Sequence, residues 1–401
     1  MRSAIVIIPT FNERENIPKT IAALWSEFAK ITSWKLGALI VDDTSPDKTY
    51  EVVRELQPQY PGLELLINAQ KSGLGGAYLK GMHHAFNTLD ADVIFEFDAD
   101  LSHDPSKLKE LLAKIDDGYD MALGSRYIKG GSIPADWGLH RKFMSVVGNL
   151  VILLILGNRS VRDWTTGYRC ITKRVFEAVA PFMQSERFAG YTFQVGFLYQ
   201  TLKHGFRVAE VPFHFKDRTI GHSKIGPEYI KNTLLYLMKI RLQELLEMRV
   251  VKFAFVGGAG ALSQLISLQL FRVLLAPLGA AVWLGFITPF SIATFLAIEI
   301  AVALNFTLSN LWTFADRKLS MAQIPLKFIQ FNLASAGSIL IQLVINTLAE
   351  RFIGIHQLFV VPVLNKPIDT GLFYAVVGIF IGMFWNFFAY NRFVWQKKHK
   401  K

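Results

Sequence analysis

Val93-Ile94-Phe95-Glu96-Phe97-Asp98-Ala99-Asp100 is the stretch on which the fold is decided. Its β-branched and aromatic residues read as a strand, and the strand ends on two carboxylates one residue apart. Residues i and i+2 of a strand project to one face, so Asp98 and Asp100 can converge on a single cation. A hard divalent ion held by one or two carboxylates completes its shell with phosphate oxygens and water. That arrangement suits cleavage of a nucleotide diphosphate. A solvated strand end would carry the same three residues, so the decision rests on the sequence around them.

Working outward, strands are expected near residues 4–8, 36–41, 63–68 and 93–97, with helices near 17–29, 49–56 and 76–89. This alternation implies an α/β domain with a mostly parallel sheet covered on both faces. Ligands of such sheets sit at the carboxyl ends of strands. Polar motifs fall at those ends: Pro9-Thr10-Phe11-Asn12-Glu13 after the first strand, Asp42-Asp43-Thr44-Ser45 after the second, and Asp98-Ala99-Asp100 after the fourth. Gly73-Leu74-Gly75-Gly76 lacks the spacing of a phosphate-binding P-loop and reads as a tight turn before a helix.

The rest of the chain has a different character. Hydrophobic residues make up 51% of the 401 positions, too many for one ordinary soluble domain, and beyond Arg249 they gather into long runs. Four spans are expected, near 253–275, 286–311, 326–348 and 372–395, each reaching the ~20 residues that cross a bilayer. This half also repeats itself. Asn305-Phe306…Asn310…Trp312…Phe314 recurs as Asn386-Phe387…Asn391…Phe393…Trp395, and Lys252-Phe253 recurs as Lys327-Phe328, as two related helical hairpins would. Basic residues Lys239, Arg241, Arg249, Lys252, Arg317, Lys318 and the 397–401 tail lie on the side of the N-terminal domain. The positive-inside rule therefore places that domain and both termini in the cytoplasm. The N-terminus runs directly into a strand, so no cleavable leader is expected. Residues 146–156 and the basic amphipathic stretch 229–248 read as interfacial segments, with a buried core helix the competing reading for the second.

A net charge of +11 suits anionic partners, while the lack of a dense basic stripe argues against nucleic acid. The one cysteine, Cys170, excludes internal disulfides and cysteine-based zinc sites. No obligate protein partner is evident.

Pro9-Thr10-Phe11-Asn12-Glu13, Asp42-Asp43-Thr44-Ser45-Pro46-Asp47, Asp98-Ala99-Asp100-Leu101-Ser102-His103 and Gly124-Ser125-Arg126-Tyr127 resemble family 2 glycosyltransferases of the GT-A fold. Ser125-Arg126-Tyr127…Gly130-Gly131…Trp137…Arg141…Ser145…Asn149, Thr165-Thr166-Gly167-Tyr168-Arg169 and Arg218…Gly221-His222-Ser223-Lys224 are most similar to its dolichol-phosphate mannose synthase branch. The resemblance covers roughly residues 4–226, and the C-terminal half separately resembles the GtrA-like four-helix membrane domain. It implies a catalytic domain over 1–226, an interface helix or linker over 227–250, and a transmembrane domain over 251–401.

The activity so implied is inverting, metal-dependent transfer of mannose from GDP-mannose to dolichyl or another polyprenyl phosphate at a lipid bilayer. Its products are dolichyl β-D-mannosyl phosphate and GDP. The implied donor site comprises Pro9, Phe11, Glu13, Val41, Asp43, Asp98, Ala99, Asp100, Arg126, Arg218 and Lys224. Asp42 either joins it or caps the following helix. Mg²⁺ or Mn²⁺ would be held by Asp98 and Asp100, with Ser102 a weak third ligand because some relatives carry Gln there. His103 is read as structural. Arg126, Arg141 and Ser145 would form the acceptor phosphate socket, with Asp100 and Arg126 catalytic, and Arg169 either structural or acceptor-facing. The phosphate acceptor is largely deprotonated at neutral pH, so no strong general base is needed. Two readings compete: UDP-glucose as donor, and a lipid-linked sugar transporter with a regulatory N-terminal domain. A processive polysaccharide synthase is disfavoured, since its Gln-x-x-Arg-Trp motif does not occur.

Overall fold

The computed structural model describes residues 1–183, 188, 191–217, 227–275, 289–354, 356–361 and 366–396. The chain divides into two compact units, Met1–Arg241 and Leu242–Lys401.

The first unit is built on strands β1 (Ser3–Thr10), β2 (Lys35–Asp42), β3 (Leu63–Ile67), β4 (Val93–Glu96), β5 (Met121–Ser125), β6 (Arg169–Thr172) and β7 (Val208–Pro212). They form one sheet in the order β3-β2-β1-β4-β6-β5-β7. β6 runs antiparallel to β4 and β5, and the other pairings are parallel. The order turns back between β1 and β4, which places the crevice of the sheet between the loops that follow these two strands.

Strand alternation sorts the core into two layers. Ile7, Leu39, Val41 and Ile94 face α3 (Gly73–Asn87) and α7 (Tyr191–Lys203). Val6, Ile8, Ile40, Val93 and Phe95 face α1 (Ile17–Phe28) and α4 (Leu108–Asp116). α2 (Thr49–Leu56), α5 (Leu139–Leu156), α6 (Lys173–Val179) and α8 (Pro227–Glu247) complete the described helices of this unit.

Three expectations change in the structure. The 73–76 glycine run is the first turn of α3 rather than a turn preceding it, because the Asp43 carboxylate accepts from the orphan N–H groups of Ser72 and Gly73 at 3.0 and 3.1 Å. The apolar run 146–156 is the second half of an 18-residue helix, α5, about 27 Å long and thus close to membrane-spanning length. Its Asn149, Ile152 and Leu156 are nevertheless buried, while Leu139, Phe143, Leu150 and Leu154 are exposed. α8 serves partly as a core helix: Leu237 and Ile240 are buried against the sheet layer of α3 and α7, whereas Ile230 and Leu234 stay exposed.

The second unit contains α9 (Arg249–Leu275), α10 (Pro289–Leu308), α11 (Ile324–Ile353) and α12 (Thr370–Ala389), with α9 packed on α10 and α11 on α12. Short strands β8 (Gln357–Val361) and β9 (Lys366–Asp369) pair antiparallel between the third and fourth expected spans. Leu262, Leu265, Ile266, Phe295, Leu333, Leu340 and Phe380 are among many large apolar side chains left exposed, a surface suited to lipid rather than water. α10 and α12 both end in a π turn, Ser309–Thr313 and Tyr390–Val394, so the sequence repeat has a structural counterpart. Phe314 and Trp395, equivalent positions of the repeat, stack on each other at 4.6 Å. Residues 276–288, which include the start of the second expected span, and the 397–401 tail lie outside the described residues.

Candidate active site

The loops after β1, β2 and β4 each hold a non-glycine residue in the left-handed region: Asn12 (φ 58°), Thr44 (φ 53°) and Leu101 (φ 58°). For Thr and Leu this conformation is costly and persists only where neighbours over-determine it. Here they do. Asn12 N donates to Ser45 Oγ at 3.0 Å, Glu13 N donates to Thr49 Oγ1 at 3.0 Å, and Thr44 Oγ1 donates to the Asn68 carbonyl.

At one end of the crevice the nucleoside candidates separate into two groups. Asp42 is fully buried and accepts from Thr10 Oγ1 (2.8 Å), Ser45 N (2.8 Å) and Ser45 Oγ (2.6 Å), so it locks the two loops together and does not face a ligand. Val41 and Ala99 are also buried in the core layers, leaving only their backbones for ligand contact. Pro9 and Phe11 are partly exposed, and Lys71 Nζ lies 3.7 Å from the centre of the Phe11 ring. Glu13 is partly exposed and accepts from Asn16 Nδ2 at 2.7 Å. Asp43 is buried and accepts from Asn68 Nδ2, Ser72 Oγ, Ser72 N and Gly73 N. Four donors fill the lone pairs of a carboxylate, so a ligand could bond to Asp43 only by replacing one of them.

At the centre, Asp98 and Asp100 are both partly exposed. Tyr78 Oη donates to Asp98 Oδ1 at 3.4 Å. His103 stands behind Asp98: its Nδ1 accepts from Asp98 N at 3.1 Å, and its Nε2 is 3.6 Å from Asp98 Oδ2. Burial drives the His103 pKa down to about 3, so the ring is neutral and carries its proton on Nε2. It stacks on Tyr168 at 4.8 Å, the structural role expected of it. Ser102 differs from expectation. Its hydroxyl is enclosed and makes no hydrogen bond among the described residues, while its backbone N donates to Asp100 Oδ1 at 3.0 Å. No group of three or more His, Cys, Asp or Glu suited to a metal occurs among the described residues. Two accessible carboxylates with no soft donors fit a hard divalent ion whose remaining ligands come from substrate and water.

Under this centre lies a buried ion pair. Glu96 and Arg169 face each other across the β4–β6 register, both fully buried, with Nε and Oε2 3.7 Å apart. Burial raises the Glu96 pKa to about 7 against the opposing pull of Arg169, and burial lowers that of Arg169. Arg169 is therefore structural and does not face an acceptor.

At the far end, Arg126 is gripped by Asp163. Its Nε donates to Oδ2 at 2.8 Å, its Nη2 to Oδ1 at 2.7 Å, and its backbone N to Oδ2 at 3.0 Å. Nη2 also reaches Thr165 Oγ1 at 2.8 Å, which accepts in turn from Asn149 Nδ2 of α5 at 3.0 Å. Ser145, one turn earlier on α5, shares a 2.5 Å hydrogen bond with Tyr127 Oη. Arg126 and Ser145 thus belong to one network. Arg141 is held separately: it forms a bidentate pair with Asp217 at 2.6 and 3.1 Å, and its guanidinium lies 3.9 Å over the Trp137 ring. Arg218 and Lys224 lie outside the described residues.

Sequence reading missed Lys71, Asp163 and Asp217. Asp163 carried a usable signal, because it lies two residues before the Thr165-Thr166-Gly167-Tyr168-Arg169 motif. Asp217 directly precedes the Arg218 motif, while Lys71 had no signal, since only the fold sets it against Phe11.

Residues 5–180 match the model of Glycosyl transferase family 2, and residues 252–395 match that of GtrA/DPMS, transmembrane domain. The chain is similar to Dolichol-phosphate mannosyltransferase of Pyrococcus furiosus, with 31% identity over 361 residues, 88% of this chain and 92% of that relative. The chain belongs to the family 2 glycosyltransferases. This glycosyltransferase is also similar to Polyprenol monophosphomannose synthase of Mycolicibacterium smegmatis, with 35% identity over 231 residues covering 57% of this chain and 83% of the relative. Among solved structures it is similar to glucosyl-3-phosphoglycerate synthase from Mycobacterium tuberculosis, with a TM-score of 0.43 and 17% identity over 60% of this chain and 80% of that one. The second match spans α9 to α12, so the glycosyltransferase carries its catalytic α/β unit together with a transmembrane helical domain.

Proposed function

We propose that this glycosyltransferase transfers mannose from GDP-mannose to the phosphate of a polyprenyl phosphate such as dolichyl phosphate, with inversion at C1. The observations that carry the reading are an accessible Asp98/Asp100 pair after β4 and, after β5, which runs the same way in the sheet, Arg126 held by Asp163. The names of the similar mannosyltransferases supply the sugar and acceptor class.

The donor nucleoside would lie along Pro9, Phe11 and Glu13, with Asp43 releasing Ser72 to meet it. Lys71 would stay beside the Phe11 face. A divalent cation held by Asp98 and Asp100 would supply Lewis-acid stabilisation of the charge on the departing diphosphate. Neutral His103 holds Asp98 in place without competing for that charge. The acceptor phosphate oxygen is itself the nucleophile, so the protein's task is to hold a dianion near the donor. Arg126 is pre-oriented for it by Asp163 and Thr165, and Ser145 donates from α5. Arg141 would exchange the Asp217 carboxylate for phosphate, a favourable swap because the incoming group carries more charge. The exposed apolar residues of α5 would lead the lipid tail away from the site.

Residues 1–226 would carry the catalytic motifs, 227–250 a segment that completes the catalytic core through Leu237 and Ile240 before reaching the interface, and 251–401 the membrane anchor, with the catalytic side and both termini cytoplasmic. The test is incubation of the purified full chain with radiolabelled GDP-mannose and a short polyprenyl phosphate, scoring chloroform-soluble label. We expect GDP-mannose to be used at least tenfold better than UDP-glucose, and both EDTA and Asp100→Ala to abolish transfer. Equal use of UDP-glucose would overturn the donor assignment, and full activity in EDTA would overturn the metal.

A further inference from the structure

The Thr165 hydroxyl carries a proton that the fold places poorly. A hydroxyl has two lone pairs and one proton. Both lone pairs are taken: Arg126 Nη2 donates to Thr165 Oγ1 at 2.8 Å, and Asn149 Nδ2 donates to it at 3.0 Å. The Asn149 amide has one orientation, because its Oδ1 accepts from Trp164 N at 2.8 Å and its Nδ2 also donates to the Ser145 carbonyl at 3.0 Å. The Thr165 proton must therefore go to a third group.

Among the described residues the acceptor for that proton is Asp163 Oδ1, 3.4 Å away. This is well beyond the ~2.8 Å of a good O–H···O bond. The same oxygen already accepts from Arg126 Nη2 at 2.7 Å and from Thr165 N at 3.3 Å. A closer acceptor displaces so long a bond at little cost, and Thr165 is partly exposed, so one can reach it. The neighbouring hydroxyl behaves differently. Thr166 is buried and accepts from Tyr168 N at 3.2 Å, as a residue that shapes the turn does.

The surroundings select an anion. Thr165 Oγ1 is bonded to the guanidinium of Arg126, so an anionic group drawn to that cation comes to lie beside a hydroxyl with a proton to give. Asn149 ties the arrangement to α5: its Nδ2 holds both Thr165 and the carbonyl of Ser145, whose own hydroxyl shares its bond with Tyr127. A phosphate oxygen has the lone pairs and the charge to meet both groups. A neutral hydroxyl would bring no charge for Arg126.

We propose that Thr165 binds the acceptor phosphate directly, as a hydroxyl donor beside Arg126, in addition to propping the guanidinium. The identity of that acceptor rests on the function proposed above. The competing role is a strut for Arg126 alone, and a double-variant cycle separates the two. The probe is citronellyl phosphate, titrated into the full chain in detergent without donor and then turned over with GDP-mannose. We expect Thr165→Val to weaken binding of the probe about tenfold or more, the effect of losing one hydrogen bond to a charged group, with GDP-mannose KM nearly unchanged. Thr165→Ser keeps the proton and both lone pairs, so it should bind within about threefold of the parent. The same loss should appear when Thr165→Val is made in an Arg126→Lys chain, where a charge remains for Asp163 but the guanidinium that Thr165 would orient is gone. If thermal unfolding shows that Thr165→Val or Arg126→Lys does not fold, Thr165→Ala and an Asp163→Asn background are the substitutes. No further loss from the Thr165 variant in that background would overturn the proposal and leave a strut. Failure of the parent chain to bind the probe would overturn it too. Thr165-dependent binding in a chain that transfers no mannose would instead retain the phosphate contact and reject the proposed reaction.

Discussion

At the scale of single residues, the site depends on buried carboxylates that sequence patterns do not mark. Asp163 makes three of the hydrogen bonds that hold Arg126, two of them to the guanidinium, and it does so fully buried. Replacing Asp163 with Asn keeps the shape but removes the charge-assisted bonds, worth about 1.5–3 kcal/mol each. We expect kcat to fall at least tenfold with donor KM nearly unchanged, because Arg126 loses orientation and not its place. A parallel rise in donor KM would show a general structural collapse instead. Cys170 offers a separate check. Burial holds its thiol well above the ordinary value of 9.0, so a maleimide should not label the native chain at pH 7 or at pH 9, and unfolding should expose it at once. The sign of the linked stability follows. A pKa raised on folding gives stability that is fully present below pH 9 and is lost as pH rises beyond it, so Tm should begin to decline only in strongly alkaline buffer. Rapid labelling of the folded chain would contradict the burial of β6.

Among the elements, α3 shows how packing overrides a local reading. Three glycines within four residues predict a turn, and Gly73 does adopt a left-handed φ of 71°. The helix nevertheless begins there because Asp43 supplies the acceptor its first turn requires. Gly75 is needed for close approach: a methyl group there would strike the Phe188 carbonyl and lie 2.9 Å from Phe193 Cβ. Gly75→Ala should therefore lower stability by about 1–3 kcal/mol, the usual cost of overpacking. Gly148, inside α5, meets nothing within 4 Å, so Gly148→Ala should be neutral or stabilise by up to ~1 kcal/mol through helix propensity. Thermal unfolding of the two variants in detergent reads the contrast directly, and equal Tm values would show that α3 is not packed as described.

For the molecule as a whole, the compact-unit boundary at Arg241 falls inside α8, later than the 226 suggested by the motifs alone. Leu237 and Ile240 are part of the catalytic core, so a chain ending at residue 226 would open that core. One ending at 249 should remain folded and bind GDP-mannose. Proteolysis of the two truncated chains, with the shorter cut much faster, is the expected result, and equal resistance would place α8 outside the core. The sequence by itself determined the alternating α/β class, the carboxylate pair at a strand end, the apolar helices and their repeat. Each of these is a periodic or local pattern, in which side-chain direction follows from position along a strand or helix. Only the tertiary structure decided that Asp42 locks loops and Asp43 caps a helix, that Arg169 is paired out of reach, and that Asp163 and Asp217 hold the two cationic candidates. Those roles depend on which partner the fold sets against each charge, and all of these but Asp217 and its partner Arg141 are buried or nearly so. Burial makes an unpaired charge intolerable, so the fold assigns partners that lie far apart along the chain and carry no common spacing.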